Sequence, residues 1–186
     1  MKLVRIFVSD ISEDGLWSIH LDGQAQNEFD QFFDRMNDIE WLLDFFDRNK
    51  TDLNSGFFGK ITIYEAVLKN LEEAGEMEEV LYDFAEKGFA TRGGNLQHLF
   101  KPLSNFEYSI IFHQKSKARL KNGWLRLYAL RIAKNCYLVT GGSIKLTQDM
   151  KREHLRDELK KLDKTKISLR DNDIDYPTDL NSFSNE

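Results

Sequence analysis

Apolar and polar residues alternate along Lys2 to Val8, where Val4, Ile6 and Val8 fall on one side, and along Gly15 to Asp22, where Trp17, Ile19 and Leu21 do. A period of two marks strands, and the Ser-Glu-Asp-Gly that separates them reads as a turn. From Ala25 the period lengthens. Phe29, Phe32, Phe33 and Met36 recur at helical spacing, and Asp38 is placed to cap a second helical piece carrying Trp41, Leu42, Phe45 and Phe46. So dense an aromatic stripe is expected to be core, because no polar residue lies inside it to orient a ligand. Asn49 to Lys60 reads as a loop, with Asn54, Gly56 and Gly59. Thr62-Ile63-Tyr64-Glu65 then has the form of a capping box, opening a helix that carries Ile63, Ala66, Val67, Leu71, Ala74, Met77, Leu81 and Phe84. That helix is expected to end near Lys87, with Gly88 as its C′ residue and Thr91 to Asn95 as a connector.

The pattern changes in the second half. Tyr108 to His113, Trp124 to Ile132 and Tyr137 to Lys145 are β-type runs, joined by Lys121-Asn122-Gly123 and Ala133-Lys134-Asn135. Both connectors suit hairpin turns, so an antiparallel meander is expected. On the middle run Arg126 and Tyr128 share a face with Trp124 and Leu130, while Leu125, Leu127 and Ala129 point the other way. Asp149 to Arg170 is a basic amphipathic helix with Leu155, Leu159, Leu162 and Leu169 along one side. The residues from Asp171 to Glu186 are expected to be a disordered tail. These elements predict an α+β protein whose residues 1–170 form a single domain.

Charge sharpens the picture. Residues 1–96 hold 9 basic and 20 acidic side chains, residues 97–170 hold 17 and 6, and the tail adds five acids. The overall charge of −5 therefore hides a strongly basic segment, the usual electrostatic footprint of a nucleic-acid partner. A solvated helix face paired with the acidic half would produce the same counts. Within the basic segment Lys115, Lys117, Arg119 and Lys121 alternate in a way that suits tracking phosphates, and Lys151 and Arg152 open the last helix. The first residues soon reach Asp10, Glu13 and Asp14, unlike a signal peptide, and no apolar run approaches the roughly 20 residues of a membrane helix. Cys136 is the only cysteine. A cytoplasmic protein without membrane contact is expected.

Gly123 to Ile132, followed by Cys136 to Lys145 and Leu146-Thr147, resembles the HigB-type, phage-derived branch of the RelE/ParE toxin superfamily. The elements that carry the resemblance are Leu125-Arg126-Leu127-Tyr128, then Leu138 to Lys145, then Thr147 and the closing helix, with Phe100-Lys101-Pro102-Leu103 similar to the family's lead-in. The match spans roughly residues 99–170. It departs from the family pattern in its large acidic helical half and in Leu146, where a second lysine is usual. The resemblance implies a RelE-like antiparallel sheet and an mRNA endonuclease of a type II toxin-antitoxin system. Its partners would be RNA, free or as ribosome-bound mRNA, and a cognate antitoxin protein.

RNA is cleaved without a metal when a base removes the 2′-hydroxyl proton, a cation stabilises the pentacoordinate phosphate and an acid protonates the 5′-oxygen. Arg126, Arg131 and Lys145 are candidates for the cation, and Tyr128 and His154 for moving protons. Structural roles compete for each: sheet-face ion pairs for the arginines, core packing for Tyr128, surface exposure for Lys145 and His154. No cofactor or metal is expected. The glycine pairs Gly93-Gly94 and Gly141-Gly142 lack P-loop context and read as turns or bulges, and the four histidines have no metal-ligand spacing. The alternative is a non-catalytic, toxin-like interaction module whose acidic half packs on its own basic face or binds a protein partner.

Overall fold

The structure is a computed structural model that describes residues 1–8, 15–84, 96–103 and 113–184, the side chains of Ser182 and Ser184 excepted. It is an α+β protein. One six-stranded sheet runs in the order β1-β2-β6-β5-β4-β3, built from β1 (Lys2–Val8), β2 (Gly15–His20), β3 (Phe100–Pro102), β4 (Gln114–Ala118), β5 (Leu125–Ala133) and β6 (Cys136–Ile144). The β5-β6 pair is antiparallel as the alternation predicts, and the strand that completes the meander is β4 at Gln114–Ala118, beyond the expected run Tyr108 to His113. Strand β2, however, joins β6 in parallel, so the sheet is mixed and the acidic and basic halves share it.

Helices α1 (Glu28–Asn37), α2 (Ile39–Arg48), the short α3 (Lys50–Leu53) and α4 (Ile63–Asp83) precede β3, with the single turn α5 (Leu96–Leu99) leading into it. The N-caps of α2 and α4 are those read from sequence, while α1 is capped by Asn27, which the pattern did not single out. Asp38 accepts from the Trp41 amide, and Thr62 with Glu65 forms a complete capping box. The segment after α2 is not wholly loop, because Lys50–Leu53 makes a turn of helix that buries Leu53. After the sheet come α6 (Glu153–Asp171) and α7 (Pro177–Ser184).

Side-chain alternation in β5 divides the core. Leu125, Leu127 and Ala129 join the phenylalanines of α1 and α2 and the apolar side of α4, whereas Tyr128, Leu130 and Ile132 pack with Leu162 and Leu169 of α6. A bulge in β6 adjusts the register: Tyr128 pairs with Gly141 but Ala129 with Val139. The extra residue lets Val139 and Ile144, five apart, lie on the same face. Gly141 has φ 146°, and a Cβ on Gly142 would stand 2.3 Å from Phe32, so the Gly-Gly pair supplies both the bulge and the close approach of α1.

Two expectations are corrected. The chain beyond Asp171 is ordered up to residue 184, because Ile174 and Leu180 are buried in the α6-side core and α7 packs on β1. The basic stretch at Lys115 and Lys117 is strand β4, in which the buried Gln114, Ser116 and Ala118 alternate with the two lysines. Of the predicted run Tyr108 to His113, only His113 lies within the described residues, and it is a left-handed turn residue at φ 54°. The turn at Ser12 to Asp14, the Gly88 cap and the Thr91 to Asn95 connector lie outside the described residues.

Candidate nucleic-acid interface

The C-terminal ends of β4 and β6 and the start of β5 meet at one end of the sheet. Lys117, Arg119, Arg126 and Lys145 come together there. Arg126 is buried, and one Nη donates to the Gly123 and Leu125 carbonyls at 3.0 and 2.6 Å. Burial and the neighbouring Arg119 guanidinium pull its own guanidinium below the ordinary arginine range. The Lys117 ammonium is held down by burial and then by Arg126 and Arg119. Lys145, which donates to the Gln148 carbonyl at 2.7 Å, is lowered by burial, then by Arg126 and Lys117. Each cation thus sits in the repulsive field of the others. Among the described residues none of the four makes an ion pair with a carboxylate.

A concavity of about 460 Å³ opens beside Arg126 and Arg119, walled by Phe57, Phe58, Lys69, Lys121, Asn122 and Gly123. Phe57 is half exposed, and the Lys69 ammonium lies 4.7 Å from the Trp124 ring and 5.3 Å from that of Phe58. Its tight turn rests on Asn122 in the left-handed region at φ 61°. Beneath it lies Glu73 of α4, whose buried carboxylate accepts from the Trp124 amide at 3.0 Å and the Leu125 amide at 2.8 Å. Asn70, one turn earlier, accepts from the Trp124 indole at 2.9 Å. These two polar residues fix the start of β5, and with it Arg126. Sequence reasoning missed them, although both sit on the apolar stripe of α4, Asn70 four residues after Ala66 and Glu73 four before Met77.

The other predicted residues lie elsewhere. Tyr128 is fully buried, with its hydroxyl 3.7 Å from the Met150 sulfur, and burial raises its phenol far above the ordinary value. Arg131 is buried toward the opposite end of β5, where it hydrogen-bonds Tyr137. His154 meets the Ile144 carbonyl at 3.1 Å and the edge of Phe45, and burial lowers its imidazole. Lys115 pairs with Asp163 at 2.6 Å, Lys151 faces Asp149 at 3.8 Å, and Arg152 grips Asp52 in a bidentate pair at 2.5 and 2.6 Å. Lys121 is exposed on the rim of the concavity. Among the described residues no group of three potential metal ligands forms, and no helix is long and apolar enough to cross a membrane.

No protein-family model matches this chain, and neither does any curated protein or solved structure.

Proposed function

We propose that this chain binds the phosphate backbone of RNA on Lys117, Arg119, Arg126 and Lys145 and cleaves it as a toxin-like endoribonuclease of a type II toxin-antitoxin system. The observation that carries the reading is the cluster itself: four cations drawn from three strand ends, two of them lysines with lowered ammoniums, and no carboxylate paired to them among the described residues. Such a site repels itself until an anion fills it, and a phosphodiester is the anion that spans several cations at once.

The chemistry needs no group beyond these. Lys117 and Lys145 are the proton-transfer candidates, since a depressed ammonium exchanges its proton more readily. Arg126 and Arg119 stay charged and offset the negative charge that grows on the phosphate as the 2′-oxygen attacks. The exposed ring of Phe57 offers a face on which a base can stack. An antitoxin would silence the site by bringing carboxylates to the same four cations.

One observation favours a second reading, a non-catalytic module that binds RNA or a protein partner: Tyr128 and His154 stand apart from the cluster. The carboxylate of the acidic helices that stands beside the cluster, Glu73 of α4, is engaged by the Trp124 and Leu125 amides, so among the described residues no carboxylate forms an ion pair with the four cations. Incubation of the purified protein with an end-labelled, unstructured oligoribonucleotide separates the readings. Cleavage is expected, leaving a 2′,3′-cyclic phosphate, with the 2′-deoxy oligonucleotide intact and Lys117→Ala/Lys145→Ala inactive though folded. Binding without cleavage supports the module, and absence of both overturns the proposal. Induced expression in a bacterial host should arrest growth for the wild type only.

A further inference from the structure

A second concavity, of about 560 Å³, lies between α2, the end of α1 and the first turn of α6. Its size is that of a small-molecule site. One wall is aromatic: Trp41 and Phe45 stack at 5.2 Å with 19° between their planes, and the Arg35 guanidinium stands 5.7 Å over the indole. Polar groups surround that wall. Arg48 and Asn49 come from the end of α2, Arg152 and His154 from the start of α6, Ser143 from β6, and Glu158 from α6. The aromatic stripe that carried no polar residue of its own therefore acquires them from a helix more than a hundred residues away.

The lining charges nearly balance, with Arg35, Arg48 and Arg152 against Glu153, Asp157 and Glu158. Balance argues against a bare anion and for a neutral planar ring that both donates and accepts. At the start of α6 Arg152 occupies the N-cap without a side-chain cap, and the Leu155 and Arg156 amides both turn back to its carbonyl. Glu158 is buried, pairs with Lys161 through one oxygen at 2.9 Å, and leaves its other oxygen without a hydrogen-bond partner. A carboxyl so placed accepts from, or donates to, the edge of a heterocycle once the side chain turns toward the cavity.

We infer that this concavity is a nucleobase site, in which the ring lies against Trp41 and its edge is read by the polar residues of α2 and α6. The base comes either from a free nucleotide or from an unpaired position of an RNA strand whose phosphates rest on Lys117, Arg126 and Lys145. Ser143 lines this cavity and faces Arg126 across the β5-β6 ladder, so the two concavities are neighbours. Only the strand source rests on the function proposed above.

Trp17 and Trp124 are fully buried while Trp41 is partly exposed, so tryptophan quenching reports this site. The full chain is titrated with the four nucleoside 5′-monophosphates, with ribose 5-phosphate as the base-free control, and with a short unstructured oligoribonucleotide. At least one nucleotide or the oligonucleotide is expected to quench, and ribose 5-phosphate is not. By calorimetry Trp41→Ala should weaken binding about tenfold, while Trp41→Phe retains most of it. A strand as the source appears as tighter binding of the oligonucleotide that Lys117→Ala/Arg126→Ala removes. A free nucleotide appears as equal binding that the double change leaves alone. Absence of quenching by all five base-bearing ligands, or Trp41→Ala binding like the wild type, overturns the inference.

Discussion

Two charged side chains are buried beside the start of β5, Glu73 reaching it from α4 and Arg126 lying on the strand itself, and they are treated in opposite ways. Glu73 has an amide donor on each carboxylate oxygen, so its charge is spent holding Trp124 and Leu125 in place. Arg126 shares a single Nη between two carbonyls and stands among Lys117, Arg119 and Lys145, whose repulsion Glu73 only partly offsets. A buried carboxylate met by two backbone amides belongs to the fold, even though burial outweighs those bonds and raises it above the usual carboxyl range. A buried charge left mostly among like charges is held there by the rest of the structure, and repulsion only partly offset by Glu73 and Asp149 is what an anion-binding site would use. Glu158 stands between the two cases, with one oxygen on Lys161 and one unpartnered.

The comparison breaks if the two residues respond alike to isosteric neutralisation. Glu73→Gln puts an amide donor against a buried amide donor and should cost about 3 kcal/mol, a Tm drop of roughly 6–12 °C by calorimetry. Glu158→Gln should remove a pH effect of similar size. Burial raises the Glu158 carboxyl to about 7, with Glu28 adding to the rise and Lys161 opposing it. The folded protein then binds a proton that the unfolded chain, titrating near 4.5, releases first. Stability contributed by this proton is present below pH 4.5 and is lost as pH rises through 7, by up to about 3 kcal/mol. Urea midpoints of the wild type should therefore fall between pH 5 and 8, and those of Glu158→Gln should stay flatter. Arg126→Met keeps the apolar stem while removing the charge, so the midpoint should hold or rise. Its RNA affinity should fall about tenfold, roughly 1.4 kcal/mol.

Most of the architecture was legible because it rests on local rules: two periods of hydrophobicity, the Asp38 and Thr62 caps, and the turn before Cys136, where Asn135 takes φ 62°. The parallel β2-β6 pair was not, since no short-range pattern encodes a contact between residues 121 apart. Strand β4 was half visible. Its alternation was plain, but Gln114 and Ser116 on the inward side disguised it as a solvated basic stretch. The tail escaped because Ile174 and Leu180 are too widely spaced to read as one apolar face.

The site was legible in part for a similar reason. Residue type singled out Arg126 and Lys145, but only the antiparallel pairing of β4, β5 and β6 brings Lys117 and Arg119 to them. The same pairing sends Arg131 to the far end. Glu158 and Thr165 lie on the α6 stripe with Leu155, Leu162 and Leu169, at steps of three and four. Polar residues on a buried stripe were the available signal there, as they were for Asn70 and Glu73 in α4.

The central claim is that the cation cluster holds RNA phosphates, and the salt dependence of affinity tests it most directly. Binding of an unstructured oligoribonucleotide is measured from low to moderate salt for the wild type and for Lys117→Ala/Arg126→Ala/Lys145→Ala, with folding checked by circular dichroism. The account predicts a log–log slope of roughly −2 to −3 for the wild type, from about 0.7 per phosphate contact, and weaker, flatter binding for the folded variant. A wild type that does not bind, or a folded variant with the same affinity and slope, would contradict it.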